Sequence, residues 1–301
     1  MKTAQIIHNP TSGDSQHSKE DIVKYVQKAG YDIKYISTDD PTWERFLKNN
    51  PDIIFLAGGD GTVHKLAAVL LKSRNLQENP PVYLLPMGTA NNISRTLQLD
   101  DRTLDRDLKI PEKIVDFSHG VIDGVNGSKF FLESVGMGIF PKLITEMKNK
   151  EEIEDPEEKL KLTLQVLQNI VGDFEAEEAE ITIDNEKLRG TYIMVEVMNT
   201  NYIGPNLKVA PNARPEDELL DLVLVPKANR TKLLHYLEEL TKGNVEDFNV
   251  NNFAQTYRAK EVTIKYQGTN FHVDDDRIEG QSDKKVHIKA ASGGLKFFSD
   301  K

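Results

Sequence analysis

Three small polar turns and one acidic run hold the residue types that could do chemistry in this chain. The most informative turn is Gly58-Gly59-Asp60-Gly61-Thr62. Glycines let a backbone approach a ligand closely, and the N–H groups and dipole of a helix start favour an anion. Together they form a phosphate-binding device. Asp60 does not fit plain anion binding, because it would repel a phosphate unless a divalent cation lay between them. The stretch therefore implies a nucleotide phosphate with Mg2+. A tight βα turn with a solvated aspartate would read the same locally. Asn9-Pro10-Thr11-Ser12-Gly13 and Pro86-Met87-Gly88-Thr89-Ala90-Asn91-Asn92 share the same small polar character. The acidic run Asp274-Asp275-Asp276 lacks the spaced ligands and distal Glu of an EF-hand. The seven histidines show no zinc-ligand spacing, and there is no P-loop sequence.

Each turn needs an element to position it. Ile53 to Ala57 is an unbroken apolar run, the pattern of a strand buried on both faces of a parallel sheet. Val63, Leu66, Ala67, Leu70 and Leu71 follow at helical spacing, which predicts a helix beginning near Thr62. Ala4 to His8 and Val82 to Leu85 read as strands ahead of the other two turns, with Tyr31 to Ser37 as another strand. Helices are predicted around Ile22 to Ala29 and Ile93 to Leu97, the second carrying Arg95, with a short one at Phe46 and Leu47. The order βαβαβαβ predicts an N-terminal doubly wound parallel sheet, with its polar turns at the strand C-termini where such sheets bind ligands. After about Pro111 the pattern becomes β-branched and aromatic, with strands at Val115 to Ile122, Lys129 to Ser134, Ala179 to Asp184, Thr191 to Met198 and Leu219 to Val225. Glu261 to Tyr266, Asn270 to Asp276, Val286 to Ala290 and Leu295 to Phe298 continue it. Helices are expected at Pro141 to Lys150, Leu160 to Val171 and Leu233 to Leu240. The reading is an α/β chain with two domains: 1–115, a nucleotide-binding α/β domain, and 116–301, a β-rich substrate domain that is mostly an antiparallel β-sandwich. The last strand is free to return to the first domain.

Composition narrows the partners. With 301 residues, 38% hydrophobic and 29% charged, the chain has material for a full core. A net charge of −10 without any basic run argues against nucleic acid and against electrostatic docking on an anionic membrane. No cysteine is present for disulfides or thiolate metal sites. No apolar run approaches a membrane span, and the N-terminus does not read as a signal peptide, so the expected place is the cytoplasm.

The three turns occur in fixed order, each after a strand, and so this chain resembles the catalytic domain of the diacylglycerol kinase family, in particular its soluble bacterial lipid kinases. The resemblance continues through Lys208-Val209-Ala210-Pro211-Asn212-Ala213, Asp217-Glu218-Leu219-Leu220-Asp221 and Val273-Asp274-Asp275-Asp276. It implies an NAD kinase/diacylglycerol kinase-like fold and transfer of the γ-phosphoryl group of ATP, with Mg2+, to the hydroxyl of diacylglycerol or a related lipid, a step of phospholipid metabolism. Backbone and hydroxyl groups of Asn9, Pro10, Thr11, Ser12, Gly13, Gly58, Gly59, Asp60, Gly61, Thr62, Gly88, Thr89 and Asn91 would hold the nucleotide. Arg95 would place a cation on a phosphate, and the resemblance adds Thr38. Asp60 would serve Mg2+ directly or through water. The family's catalytic carboxylate falls on Asp276, with Asp274 as second choice. A structural Mg2+ would be held by the Asp217 carboxylate and the carbonyls of Arg214 and Leu219.

The chain also departs from the family pattern. Asn92 stands where an aspartate is common, Asp275-Asp276 replaces Gly-Glu, Glu218 replaces a glycine, and Asp14 replaces a basic residue. A catalytically degenerate nucleotide-binding sensor or scaffold is therefore a second reading, and NAD kinase a third. A lipid substrate requires transient peripheral contact with the inner membrane face. Apolar residues of Ile139 to Met147 or Leu160 to Val171 are the candidates, with core packing as their alternative use. A homodimer stays open.

Overall fold

The computed structural model describes residues 2–12, 17–99, 104–127, 129–151, 153, 155–184, 186–244, 249–268, 270–279 and 285–301. Two compact units divide the chain: Met1–Phe117 with Glu154–Pro156 and Ser292–Lys301, and Ser118–Ile153 with Glu157–Ala291.

In the first unit β1 (Thr3–His8), α1 (Lys19–Gln27), β2 (Asp32–Ser37), β3 (Ile53–Gly58), α2 (Asp60–Leu70), β4 (Val82–Pro86), α3 (Asn92–Thr96) and β5 (Ile114–Asp116) follow in order, with a 3-10 turn over Trp43–Asn49. The chain's last strand, numbered β17 (Lys296–Phe298), completes a six-stranded sheet ordered β2-β1-β3-β4-β17-β5. All its pairings are parallel except β17 with β5. Every residue of β3 is buried, as its apolar run predicts. Ser18 caps α1 through a reciprocal bond with Asp21, satisfying N–H groups that the helix cannot pair internally. Helix α2 begins at Asp60 and not near Thr62, because Gly59 already turns the chain as its N-cap.

The second unit contains β6 (His119–Asp123), β7 (Phe130–Phe131), β8 (Ser134–Gly138), α4 (Ile139–Lys148), α5 (Pro156–Asp173), β9 (Glu177–Ile183), β10 (Glu186–Met198) and β11 (Leu220–Pro226). It continues with α6 (Arg230–Thr241), β12 (Gln255–Ala259), β13 (Glu261–Tyr266), β14 (Asn270–Val273), β15 (Asp276–Glu279) and β16 (Lys285–Ala291). Its eleven strands form one antiparallel sheet with a core on each face. One core packs Ile193, Met194 and Met198 against α4, α5 and α6; the other gathers Val195, Val197, Leu222, Ile264 and Phe271.

Three of the expected strands need correction. Val115 to Ile122 is two strands in two different sheets: the chain leaves the first unit after Phe117, whose N–H bonds Leu295, and enters the second at Ser118. Lys129 to Ser134 is likewise divided between β7 and the start of β8. Asn270 to Asp276 does not run straight. Asp274 adopts φ 48°, and Asp274-Asp275 turns the chain back so that Val273 faces Asp276 across a hairpin. A short polar side chain tolerates this left-handed conformation better than most residues. Within the two proposed membrane segments Ile139, Phe140, Leu143, Leu164, Leu167, Ile170 and Val171 are buried core, while Ile144, Met147, Leu160 and Leu162 are half-buried. No described helix is long and apolar enough to cross a membrane.

Candidate functional site

Asn9 sits just past the C-terminus of β1 and joins the ends of β1 and β2 to the start of α2. Its amide Nδ2 donates to Thr62 Oγ1 at 3.0 Å. Its Oδ1 accepts from Thr11 N at 3.2 Å, Thr11 Oγ1 at 2.9 Å and Thr38 Oγ1 at 3.4 Å. Ser12 Oγ lies 3.5 Å from Thr62 Oγ1. Strand pairing creates this meeting, since the parallel ladder aligns the C-termini of β1, β2 and β3. The structure thus brings together Asn9, Thr11, Ser12, Thr38 and Thr62. Gly13 lies outside the described residues, as does Asp14.

The second and third turns pack back to back. A Cβ on Gly59 would lie 2.9 Å from Gly88 Cα, and one on Gly88 would lie 2.6 Å from Gly59 Cα. Neither position has room for a side chain. At Gly61 the space around a Cβ is open. Helix α2 has no side-chain cap, because its N-cap is Gly59. The third turn is held by Asn91, which adopts φ 53°, accepts from Gly88 N at 2.8 Å and donates to Gly88 O at 2.7 Å. Arg95 Nε reaches back to Ala90 O at 3.4 Å. Asp60 caps the following helix: Asn92 N donates to its Oδ2 at 2.9 Å and Ile93 N to its Oδ1 at 3.0 Å. Each carboxylate oxygen of Asp60 therefore already accepts a backbone N–H. It fits an outer contact, through water, to a cation that arrives with a nucleotide, and it does not by itself make a protein-held metal site. No group of three or more His, Cys, Asp or Glu that could hold a metal occurs among the described residues.

In the second unit the candidate acids have different occupations. Asp274 accepts three backbone N–H groups, from Leu132 at 3.0 Å, Glu133 at 2.9 Å and Ser134 at 3.1 Å. Its own N–H donates to Ser134 O. Asp274 is thus a clamp joining the hairpin turn to the start of β8. Asp276 opens β15 and is exposed. Its neighbour Arg277 is tied by Thr145 and Asn270.

Beneath the hairpin lies a buried pair that the sequence reading missed. His272 Nε2 faces both oxygens of Glu196 at 3.0 and 2.9 Å, and His272 Nδ1 donates to the carbonyl of Asp274 at 2.8 Å. Both side chains are essentially inaccessible. Burial pulls the His272 pKa down, but the Glu196 carboxylate and the two hydrogen bonds outweigh it, so the net shift is upward. Burial pushes the Glu196 pKa up, against the opposing pull of His272 and Ser134. A lone glutamate inside the apolar run of β10 was the available signal, since such a residue is almost never buried unpaired. Asn199 and Asn201, just after β10, were missed too. Asn199 bonds Ser118 O and Leu132 O, while Asn201 bonds Ala210 O and Ala213 O, at 2.9 to 3.0 Å. Asn201 thereby shapes the Ala210-Pro211-Asn212-Ala213 loop, and Asn199 ties Ser118 to Leu132.

The proposed metal ligands form an Asx turn. Asp217 Oδ1 accepts from Leu219 N at 3.0 Å, Asp217 N donates to Arg214 O at 3.2 Å, and the other carboxylate oxygen is taken by the Arg258 guanidinium.

Comparison with known proteins agrees with this architecture. The diacylglycerol kinase catalytic domain family matches residues 3–118, and the YegS C-terminal NAD kinase beta sandwich-like domain family matches residues 142–292. Proteins named diacylglycerol kinase from Staphylococcus haemolyticus and Staphylococcus aureus are each 27% identical to the chain over 262 residues. Those alignments cover 80% of this chain and 73% and 76% of the relatives. A crystal structure of a diacylglycerol kinase from Bacillus anthracis str. Sterne matches with a TM-score of 0.69 at 19% identity, covering 99% of this chain and 97% of that one. The predicted fold class, an N-terminal α/β sheet domain followed by an antiparallel β domain, is the observed one.

Proposed function

Because the chain belongs to the family that joins a diacylglycerol kinase catalytic domain to a YegS C-terminal NAD kinase beta sandwich-like domain, we propose that it is a kinase transferring the γ-phosphoryl group of ATP to a lipid hydroxyl. The observation that carries this reading is the knot around Asn9. Hydroxyls of Thr11, Thr38 and Thr62 meet there beside two glycine turns that exclude side chains. Such a place offers N–H groups and hydroxyls to phosphate oxygens at the start of a helix. Arg95, by bracing the Ala90 carbonyl, keeps a cation beside the third turn. Mg2+, when bound with the nucleotide, neutralises phosphate charge, and Asp60 is the residue that fits an outer contact to it.

On the second unit we assign the base to Asp276, whose exposed carboxylate is accessible to a substrate. It would take the proton of the lipid hydroxyl as that oxygen bonds the γ-phosphorus. The bond from phosphorus to the β–γ bridging oxygen breaks, and ADP leaves. Asp274 is not assigned this role, because its carboxylate holds three backbone N–H groups.

The test is labelled ATP with a panel of diacylglycerol, a phosphatidyl lipid and a sphingoid base presented in vesicles. Label in the lipid extract for one of these is the expected result. ATP·Mg2+ that raises Tm without label reaching any lipid or NAD favours the sensor reading. One observation already points that way: an amide, Asn92, follows the third turn, and the neighbouring acid Asp60 serves as its helix cap.

A further inference from the structure

We propose that the guanidinium of Arg258 is the resident cation of the Arg214–Asp221 loop, in the place where the family resemblance implies a divalent metal. Strand pairing sets Asp221 and Arg258 directly opposite each other on β11 and β12. From there the Arg258 side chain runs along both loop acids: Nη2 contacts Asp217 Oδ2, and Nε lies 3.7 Å from Asp221 Oδ2. Asp221 is only 7% exposed and Asp217 24%. A positive charge is therefore required here to offset two partly or wholly desolvated carboxylates.

The implied metal ligands do not fit a dication as they stand. Mg2+ demands near-octahedral oxygen ligands at about 2.0–2.1 Å. Asp217 has one oxygen on Arg258 and the other on the Leu219 N–H, while the Arg214 carbonyl accepts the Asp217 N–H. A metal at Asp217 would also stand against a guanidinium of like charge. Glu218 holds φ 58° between Asp217 and Leu219, at the position where the family pattern has glycine. The loop thus keeps its left-handed turn without the usual residue. The Asx bond from Leu219 to Asp217 and the clamp from Arg258 to the same carboxylate hold it there. Arg258 ties the loop that follows Ala213 to the edge strand β12, and it does so permanently, with no dependence on metal supply.

The experiment uses the full chain with Mg2+ alone and no nucleotide, so it stands or falls separately from the kinase reading. Wild-type Tm is expected to be the same in EDTA and in millimolar Mg2+. Arg258→Ala should lower Tm by about 2–4 °C in EDTA and gain a Mg2+-dependent recovery, which Asp217→Asn in the same background removes. Arg258→Lys, which keeps the charge, should remain indifferent to Mg2+ and serves as the readout if Arg258→Ala does not fold. A wild-type Tm that rises with Mg2+ and loses that response in Asp217→Asn overturns the proposal. So does an Arg258→Ala protein that is folded and shows no gain of Mg2+ response, or an Arg258→Lys protein that acquires one.

Discussion

Around Asn9 the first unit gathers hydroxyls and glycine backbone with one neutral amide, and Asp60, at the start of α2, is spent on capping a helix. Around Asp274 the second unit does the reverse. There carboxylates, an imidazole and, farther along, a guanidinium hold the backbone in place through strong, partly buried interactions. In the proposed reading the first arrangement serves a ligand that brings its own charge. The second uses charge as scaffolding, so that Asp274, Glu196 and Asp217 are already occupied, whereas Asp276 is exposed. An acid in a site is therefore not evidence of catalysis until its partners are counted.

The largest expected effect tests the first half of that comparison. Gly59→Val puts a side chain where only 2.9 Å separates a Cβ from Gly88 Cα. Loss of ATP-induced stabilisation is expected, with a fold penalty of about 1–3 kcal/mol from overpacking. Thermal shift with and without ATP·Mg2+ reads both, and undiminished ATP affinity would remove the phosphate cradle from the account.

Next come the two neighbouring aspartates, which the comparison separates by role. Asp276→Asn should lower turnover by roughly 10²–10⁴-fold with ATP affinity and Tm nearly unchanged, while Asp276→Glu retains activity. Asp274→Asn should instead cost stability, about 1–3 kcal/mol, because three backbone donors lose a carboxylate acceptor. Urea midpoints and initial rates on both variants decide it. A stable Asp274→Asn protein without turnover, beside a fully active Asp276→Asn, would reverse the assignment.

The buried pair should be worth about 3–5 kcal/mol when one partner is removed, as in Glu196→Ala, since the other is left uncompensated. Its pH signature is smaller. The folded-state pKa of His272 is raised above 6.5, so the folded protein holds that proton more tightly than the unfolded chain. The stabilisation is fully present below about pH 6.5 and is lost as pH rises through the raised value. Urea midpoints from about pH 6 to about pH 9 should decline in the wild type and be flatter in His272→Gln. Equal slopes would show that the pair does not titrate in this window. Smallest of all is Gly61→Ala. The open space around its Cβ predicts little change in stability, so any loss of ATP response there reports on the ligand and not on the fold.

Much of the first unit was legible in the sequence, because its determinants lie close together along the chain. An apolar run, a glycine turn and a helical stripe within Ile53 to Leu71 specify β3, the turn and α2 without help from elsewhere. The three turns could be paired with their strands for the same reason. Where the chain changes sheets at Phe117-Ser118, the stretch Val115 to Ile122 has no proline or loop-length insertion to mark the crossing. The hairpin at Asp274-Asp275 was likewise invisible, since it depends on N–H groups of Leu132, Glu133 and Ser134 that sit more than a hundred residues away. Residue types and their local spacing marked the candidates for binding a phosphate. Tertiary structure decided which carboxylates are occupied, because occupation depends on backbone donors and opposite charges brought together by strand pairing: Glu196 with His272, Asp217 with Arg258, and Asp60 with the start of α3.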